Sequence, residues 1–408
     1  MLFNYLEFMR DEFELHLLYV GEKDIRRGRI PSYVKSAEVL DRPSYQETIG
    51  NFLRFGLNRS LQERLFFSGH ILSRIREKIK EIRPDIVFFD MIRMGQYALS
   101  IPEWSPNSLK IIDLDDLLSL RYRRLSAKQV SGADLLGEFK FMVPTFFTGL
   151  LGSLATRTIL RIESWLMRRR ELESLRNFDM VLLVSKKEAE ILKKMCADSV
   201  ARVLHIPPAI REVRVPSAVN KHRHSMGFVG YLGYYPNLES FLYLKNEIFP
   251  EVRMFFKDAS ITVIGRVSDE MISKYGDEGG ILFRGYVEDI EEALSEVEVF
   301  VAPIFSGTGI KTKILTAMAV GLPVVTTPLG VEGLDVRNME EIVIAESRDQ
   351  FIRAIRKIFE DRDFARELGR RASNYVRRFH DFDRIKTYFL EEIEKALREK
   401  QYGAKFRN

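Results

Sequence analysis

A glycine-rich turn held between two apolar runs constrains this chain more than any other stretch. Val299 to Ala302 is short and apolar and is closed by Pro303. Phe305-Ser306-Gly307-Thr308-Gly309 follows, then an amphipathic segment from Ile310 to Val320 that Gly321 and Pro323 stop, then a second apolar run, Val324 to Thr326. The order strand, glycine loop, helix, strand requires parallel pairing, because parallel strands need a crossover. The loop falls at the carboxyl end of a strand and the amino end of a helix, where free N–H groups and the helix dipole favour an anion. Lys311 and Lys313 lie at that helix start, where the dipole disfavours cations. A ligand phosphate explains them, and so does plain solvation on an ordinary helix; spacing alone leaves both open.

The same alternation extends over the whole C-terminal half. Strands are expected at Gly227–Val229, Ile261–Ile264, Ile281–Phe283 and Ile342–Ile344, with helices at Leu238–Phe249, Ser268–Tyr275, Ile290–Ser295 and Asp349–Phe359. That pattern predicts a doubly wound parallel sheet. Upstream, strands are expected at Glu14–Val20, Asp85–Phe89, Leu109–Leu114, Met180–Val184 and Val203–Ile206. Helices are expected at Leu2–Phe13, Leu61–Ile82, Trp165–Asn177 and Lys186–Met195, whereas residues 21–60 show no clear period. At 408 residues two domains are expected: 1–210, a polar and basic linker 211–225, and 226–380. A charged helical segment, 381–408, closes the chain and is expected to cross back to the first domain.

Composition narrows the class. Hydrophobic content of 46% and 11% aromatic residues describe a globular protein with a sizeable core. The lone Cys196 excludes an internal disulfide and a cysteine-based metal cluster, and points to a reducing, cytoplasmic setting. The net charge of +5 fits an anionic ligand, an acidic membrane surface or nucleic acid. The charge is dispersed and no nucleic-acid motif is visible, which argues against the last. No apolar run reaches the ~18 residues of a spanning helix. The start carries acids and lacks a cleavage pattern, so no signal peptide is expected. Residues 141–156 are uncharged and bordered by Lys140, Arg157, Arg161 and Arg168-Arg169-Arg170. The stretch 141–170 suits a peripheral membrane contact or a buried core segment, and the sequence leaves both open.

In a doubly wound sheet ligands bind beyond the carboxyl ends of the strands, so the residues there are the candidates. They are Gly230, Tyr231 and Gly233, then Pro236-Asn237 opening a helix; Gly265 and Arg266; Gly285, Tyr286 and Val287; Gly307, Thr308 and Gly309; and Thr327, Gly330, Glu332 and Gly333. Together these loops predict a nucleotide-sized crevice, with Arg266, Lys311 and Lys313 suited to phosphate. No P-loop, dinucleotide fingerprint, zinc-binding histidine pair or nucleophile elbow is present. In the first half Arg93, Asp113, Asp115 and Asp116 follow strands and are acceptor-side candidates.

The runs MGFVGYLGYYPNLESFLYLKNEIFP, ITVIGR, ILFRGYVEDI and VFVAPIFSGTGIKTKILTAMAVGLPVVTTPLGVEGL resemble the donor half of family-4 type retaining glycosyltransferases. IIDLDDLLSLRYRRL and RRELESLRNFDMVLLVSKKEAEIL are similar to acceptor-half segments of polysaccharide-type members. The resemblance implies the GT-B fold, two Rossmann-like domains facing a cleft, and transfer of a sugar from a nucleoside-diphosphate sugar to a lipid-linked or polysaccharide acceptor. It implies no cofactor and no bound metal. Gly230 and Gly233 would border the diphosphate, Gly265-Arg266 and Gly285-Tyr286-Val287 would hold the base, and Thr308, Gly309, Lys311 and Lys313 the diphosphate and sugar. Position 316 would face the ribose, and Arg93, Lys311 and Lys313 are the expected catalytic set.

The chain also departs from the family. Relatives place a glutamate pair where Thr308 and Thr316 stand, and tend to carry Asn-Gly where this chain has Pro208-Ala209. They open with a strand, whereas a helix stands first here. Either Glu14–Val20 serves as the first strand, or the start is trimmed, or the acceptor site is degenerate. The threonines and the short start motivate a second reading, a catalytically silent partner in glycan assembly.

Overall fold

The computed structural model describes residues 1–21, 30–101, 104–105, 107–127, 153–195, 200–213, 221–276, 279–307 and 309–405. The chain divides into two compact units, Met1–Pro207 with Lys386–Asn408, and Pro208–Ile385.

The first unit runs α1 (Leu2–Met9), β1 (Leu15–Gly21), β2 (Val34–Asp41), α2 (Tyr45–Phe55), α3 (Leu61–Phe66), α4 (Gly69–Ile82), β3 (Ile86–Asp90), α5 (Ile92–Ala98), β4 (Leu109–Asp113), α6 (Leu118–Ala127), α7 (Ser153–Asn177), β5 (Met180–Leu183), α8 (Lys186–Met195) and β6 (Arg202–His205). Strands β3-β4-β5-β6 pair in parallel in sequence order. Every residue of β5 is buried, as expected for a strand covered on both faces.

Two expectations for this unit are corrected. Residues 21–60, read as lacking periodicity, contain β2 and α2; Ser44 and Glu47 close a capping box at the start of α2. The helix expected over Leu61–Ile82 is two helices. Phe67 is extended between them, and side chains hold the break: Asn51 Nδ2 donates to the carbonyls of Arg64 (3.0 Å) and Phe67 (2.7 Å). The Tyr97 hydroxyl donates to the Phe66 carbonyl (2.5 Å) and accepts from the Ser68 N–H (3.0 Å). Groups a broken helix leaves open are thus satisfied by partners distant in sequence. Of the alternatives left open for the start of the chain, the one in which Glu14–Val20 serves as the first strand of the sheet is not seen: β1 pairs in parallel with β2 and not with the four-stranded sheet.

The second unit runs β7 (Ser225–Val229), α9 (Tyr235–Tyr243), a π-turn (Leu244–Ile248), α10 (Phe249–Phe255), β8 (Ser260–Ile264), α11 (Asp269–Tyr275), β9 (Ile281–Gly285), α12 (Ile290–Ser295), β10 (Val299–Ala302), α13 (Thr312–Ala319), β11 (Val324–Thr326), β12 (Val343–Ile344), α14 (Arg348–Glu360) and α15 (Arg362–Phe379). Its parallel sheet has the order β12-β11-β10-β7-β8-β9. Counted from β7, that is 6-5-4-1-2-3, the doubly wound order, with the direction of winding reversing between β7 and β10. Strands β7, β10 and β11 are buried along their whole length, while β9, at the edge, alternates and exposes Leu282. The last helix, α16 (Phe382–Lys405), starts at the end of the second unit and belongs to the first from Lys386 on. There Phe389 packs at 5.3 Å from Tyr5 and 5.6 Å from Phe8, ring centre to ring centre.

Candidate functional site

The carboxyl ends of β7 and β10 flank the point where winding reverses, and the predicted glycine loops lie at both. Lys313, in the first turn of α13, turns toward β7. Its Nζ donates to Asn237 Oδ1 (2.7 Å) and to the Val229 carbonyl (3.2 Å), and lies 5.5 Å from the centre of the Phe228 ring. Burial, reinforced by the neighbouring Lys311 charge, brings its pKa down to about 8. Lys311 occupies the cap position before α13, half-buried, and its Nζ donates to the Gly309 carbonyl (2.6 Å). Two ammonium groups therefore stand together at a helix start, partly withdrawn from water.

The glycines here serve the protein's own packing as well as any ligand. A Cβ on Gly230 would sit 2.8 Å from Asn237 Cγ. One on Gly265, whose φ is +135°, would sit 2.4 Å from the Gly230 carbonyl oxygen. The loops after β7 and β8 are thereby pressed together, with Gly230 N–H donating to Ile264 O (2.9 Å). Gly233 is crowded by the Tyr231 ring. Gly285 differs: with φ +69° and no heavy atom within 4 Å of a Cβ, it is shaped by conformation alone beside open space. Around that space Arg266 is exposed with its guanidinium 5.8 Å from the exposed Tyr286 ring, and Val287 turns into the core.

Within the glycine turn, Gly307 and Gly309 take positive φ (112° and 70°), which glycine adopts without strain. Thr308 lies outside the described residues. Thr316 Oγ1 donates back to Thr312 O (3.1 Å), so its hydroxyl proton is used within the helix. Glu332 is half-buried in the loop after β11, where Thr326 Oγ1 donates to Ala302 O (2.6 Å) and ties the ends of β10 and β11. Two residues to which the sequence assigned no ligand role emerge, Asn237 read only as a helix opener and Glu239 not singled out. Asn237 holds Lys313, and Glu239 Oε2 accepts from Ser306 Oγ (3.0 Å) in the glycine turn. The only advance signal for Asn237 was its place at a helix opening after β7.

In the first unit Arg93 is half-buried on α5 with its guanidinium 4.9 Å from the Phe66 ring centre. Asp113 is fully buried at the end of β4, and its Oδ1 accepts from the Asp115 N–H (2.9 Å). Burial, then the Asp115 charge, holds the Asp113 carboxyl well above the usual range. Asp116 is buried and paired with Arg121. Asp115 is half-buried in a left-handed conformation (φ 62°), its carboxyl also pushed up by burial and by Asp116. Of the three acids it is the one within reach of solvent. Residues 141–152 of the basic-bordered stretch lie outside the described residues; beyond them α7 exposes Trp165, Arg161, Arg168 and Arg169. Among the described residues no helix is long and apolar enough to cross a membrane.

Residues 223–361 match the family described as glycosyl transferases group 1. Among curated proteins the chain is similar to an uncharacterised 44.6 kDa protein of the cps region of Klebsiella pneumoniae, 26% identical over 227 residues. That match covers 53% of this chain and 56% of the relative, about half the length of each. Among solved structures it is similar to Anabaena HepE in complex with UDP and glucose, with a TM-score of 0.61 and 12% identity over 96% of this chain and 95% of that one. It is also similar to S. aureus TarM in complex with fondaparinux, alpha-GlcNAc-glycerol and UDP, with a TM-score of 0.56 and 12% identity over 80% of this chain and 58% of that one. The pneumococcal O-GlcNAc transferase GtfA, in complex with UDP and GlcNAc, gives 0.56 and 12% over 81% and 61%. These likenesses show the fold, two Rossmann-like units of the GT-B type with a C-terminal helical segment.

Proposed function

We propose that this chain is a retaining glycosyltransferase that moves a sugar from a nucleoside-diphosphate sugar to a lipid-linked or polysaccharide acceptor. The observation that carries the reading is the pairing of Lys311 and Lys313 at the start of α13, beside the ends of β7 and β10, within the stretch that matches group 1 glycosyl transferases. UDP and sugars bound to HepE and GtfA support the donor class. The cps-region relative supports a glycan acceptor.

In this reading the nucleotide lies across the open rim by Gly285, with its base against Arg266 and Tyr286. Its diphosphate meets the lysines and the amino end of α13. As the glycosidic bond to the diphosphate breaks, negative charge grows on the leaving oxygen, and these fixed positive groups stabilise it without a metal ion. Asp115 and Arg93 are the acceptor-side proposals. The site works at the cytoplasmic face, and 141–170 is the proposed membrane contact.

A second reading rests on Thr316, whose hydroxyl is engaged with Thr312 where relatives carry a carboxylate. That reading is a silent partner with the fold and no turnover. Incubation with a panel of UDP- and GDP-sugars, with release of the diphosphate followed, separates the two. A transferase releases it from at least one donor; no release and no binding contradict the proposed activity.

A further inference from the structure

Helix α9 grips the lysine-bearing loop at three points. Asn237 Oδ1 accepts from Lys313 Nζ (2.7 Å), Glu239 Oε2 accepts from Ser306 Oγ (3.0 Å), and the Tyr243 ring meets Phe305 edge-on at 4.8 Å. Asn237 is the most committed of the three. Its Nδ2 donates to Tyr231 O (3.1 Å), its backbone N–H donates to Tyr234 O (3.0 Å), and its side chain fills the space that a Cβ on Gly230 would take. One amide thus joins the loop after β7 to the ammonium of a residue 76 positions away.

We infer that Asn237 is a positioning residue that anchors the Lys313 ammonium at the carboxyl end of β7, where it meets the diphosphate of the donor. This rests on the donor-site reading above. Among the described residues the groups facing Lys313 are few. From the cap before α13 there is Lys311, which repels it; from β7 there are the Val229 carbonyl and the Phe228 ring; from α9 there is Asn237. None of these is an anion. Among the described residues the charge is held by two neutral oxygens, and Asn237 supplies the nearer one. Removing that oxygen disfavours the charged form, so the amine gives up its proton at lower pH. A carboxylate in its place does the opposite.

The test is calorimetric binding of UDP and of GDP to the full chain between about pH 7.5 and 8.5, above the second ionisation of a phosphate at about pH 6 and below that of the bases, where a lysine titrating near 8 changes charge far more than the nucleotide does. Wild-type affinity should weaken by about threefold from pH 7.5 to 8.5, the ratio of protonated fractions for such a group. Asn237→Ala should move the midpoint of that loss to lower pH, and Asn237→Asp should move it higher. Circular dichroism identifies a variant that has not folded, and the two substitutions give opposite signs, so either one tests the inference. Weaker binding with an unmoved midpoint in both variants overturns it and leaves the donor site standing. Failure of wild type to bind either nucleotide at any pH overturns the donor site and the inference together.

Discussion

Gly265 shows how a residue that reads as a ligand contact can be demanded first by the protein itself. Its φ of +135° belongs to glycine, and any Cβ would press on the Gly230 carbonyl at 2.4 Å. Gly265→Ala should therefore cost about 2–4 kcal/mol whatever the ligand does, combining backbone strain with overpacking. Urea unfolding followed by fluorescence reads this; an unchanged midpoint would mean that the two loops are not pressed together as described. The glycines and lysines of the site were legible because loops at strand ends in a doubly wound sheet have few roles. Asn237 was seen only as a helix opener, and Glu239 not at all. Their partners, Lys313 and Ser306, lie 76 and 67 residues away, and pairings at that distance leave no trace in local spacing. Asp113 and Asp116 were legible as acids after a strand, but not as enclosed ones.

At the scale of elements, helix α7 works through carboxylates that cap its neighbours. Glu163 accepts from the Leu61 N–H at the start of α3 (2.8 and 2.9 Å) and pairs with Arg64. Glu171 accepts from the N–H (2.9 Å) and hydroxyl (2.6 Å) of Ser119 near the start of α6. Burial nonetheless dominates both and raises each pKa to about 7, from 4.5. The folded chain thus holds protons that the unfolded chain releases between those values, so stability from these groups is fully present below about pH 4.5 and is lost by about pH 7. Each group contributes on the order of a few kcal/mol. Denaturant unfolding of wild type and of Glu163→Gln with Glu171→Gln at pH 5.5 and 7.5 checks this. The wild type should lose stability over that interval by more than the double variant, and equal slopes would contradict the assignment. The strands around these helices were legible from apolar runs alone. The split of α3 from α4 was not, because Asn51 and Tyr97, which hold it, act from other elements.

Across the whole molecule, one chain builds two parallel α/β units and returns its last helix to the first. Within that unit, α16 sets Phe389 against Tyr5 and Phe8 of α1, and Lys386 pairs with Asp11 (2.8 Å). The alternation of strand and helix predicted the C-terminal unit almost element by element, since buried parallel strands and amphipathic helices have distinct periods. It served less well for residues 21–60, where β2 is half exposed and mixed in composition. The central claim concerns the second unit alone: Lys311 and Lys313 grip a pyrophosphate. Its most direct test is calorimetric titration of UDP and GDP into wild type and into the Lys311→Ala, Lys313→Ala double variant at neutral pH, with folding checked by circular dichroism. Loss of two charge-assisted contacts, each about 1.5–3 kcal/mol, should weaken binding at least a hundredfold. A folded double variant that binds either nucleotide as tightly as wild type would contradict the account.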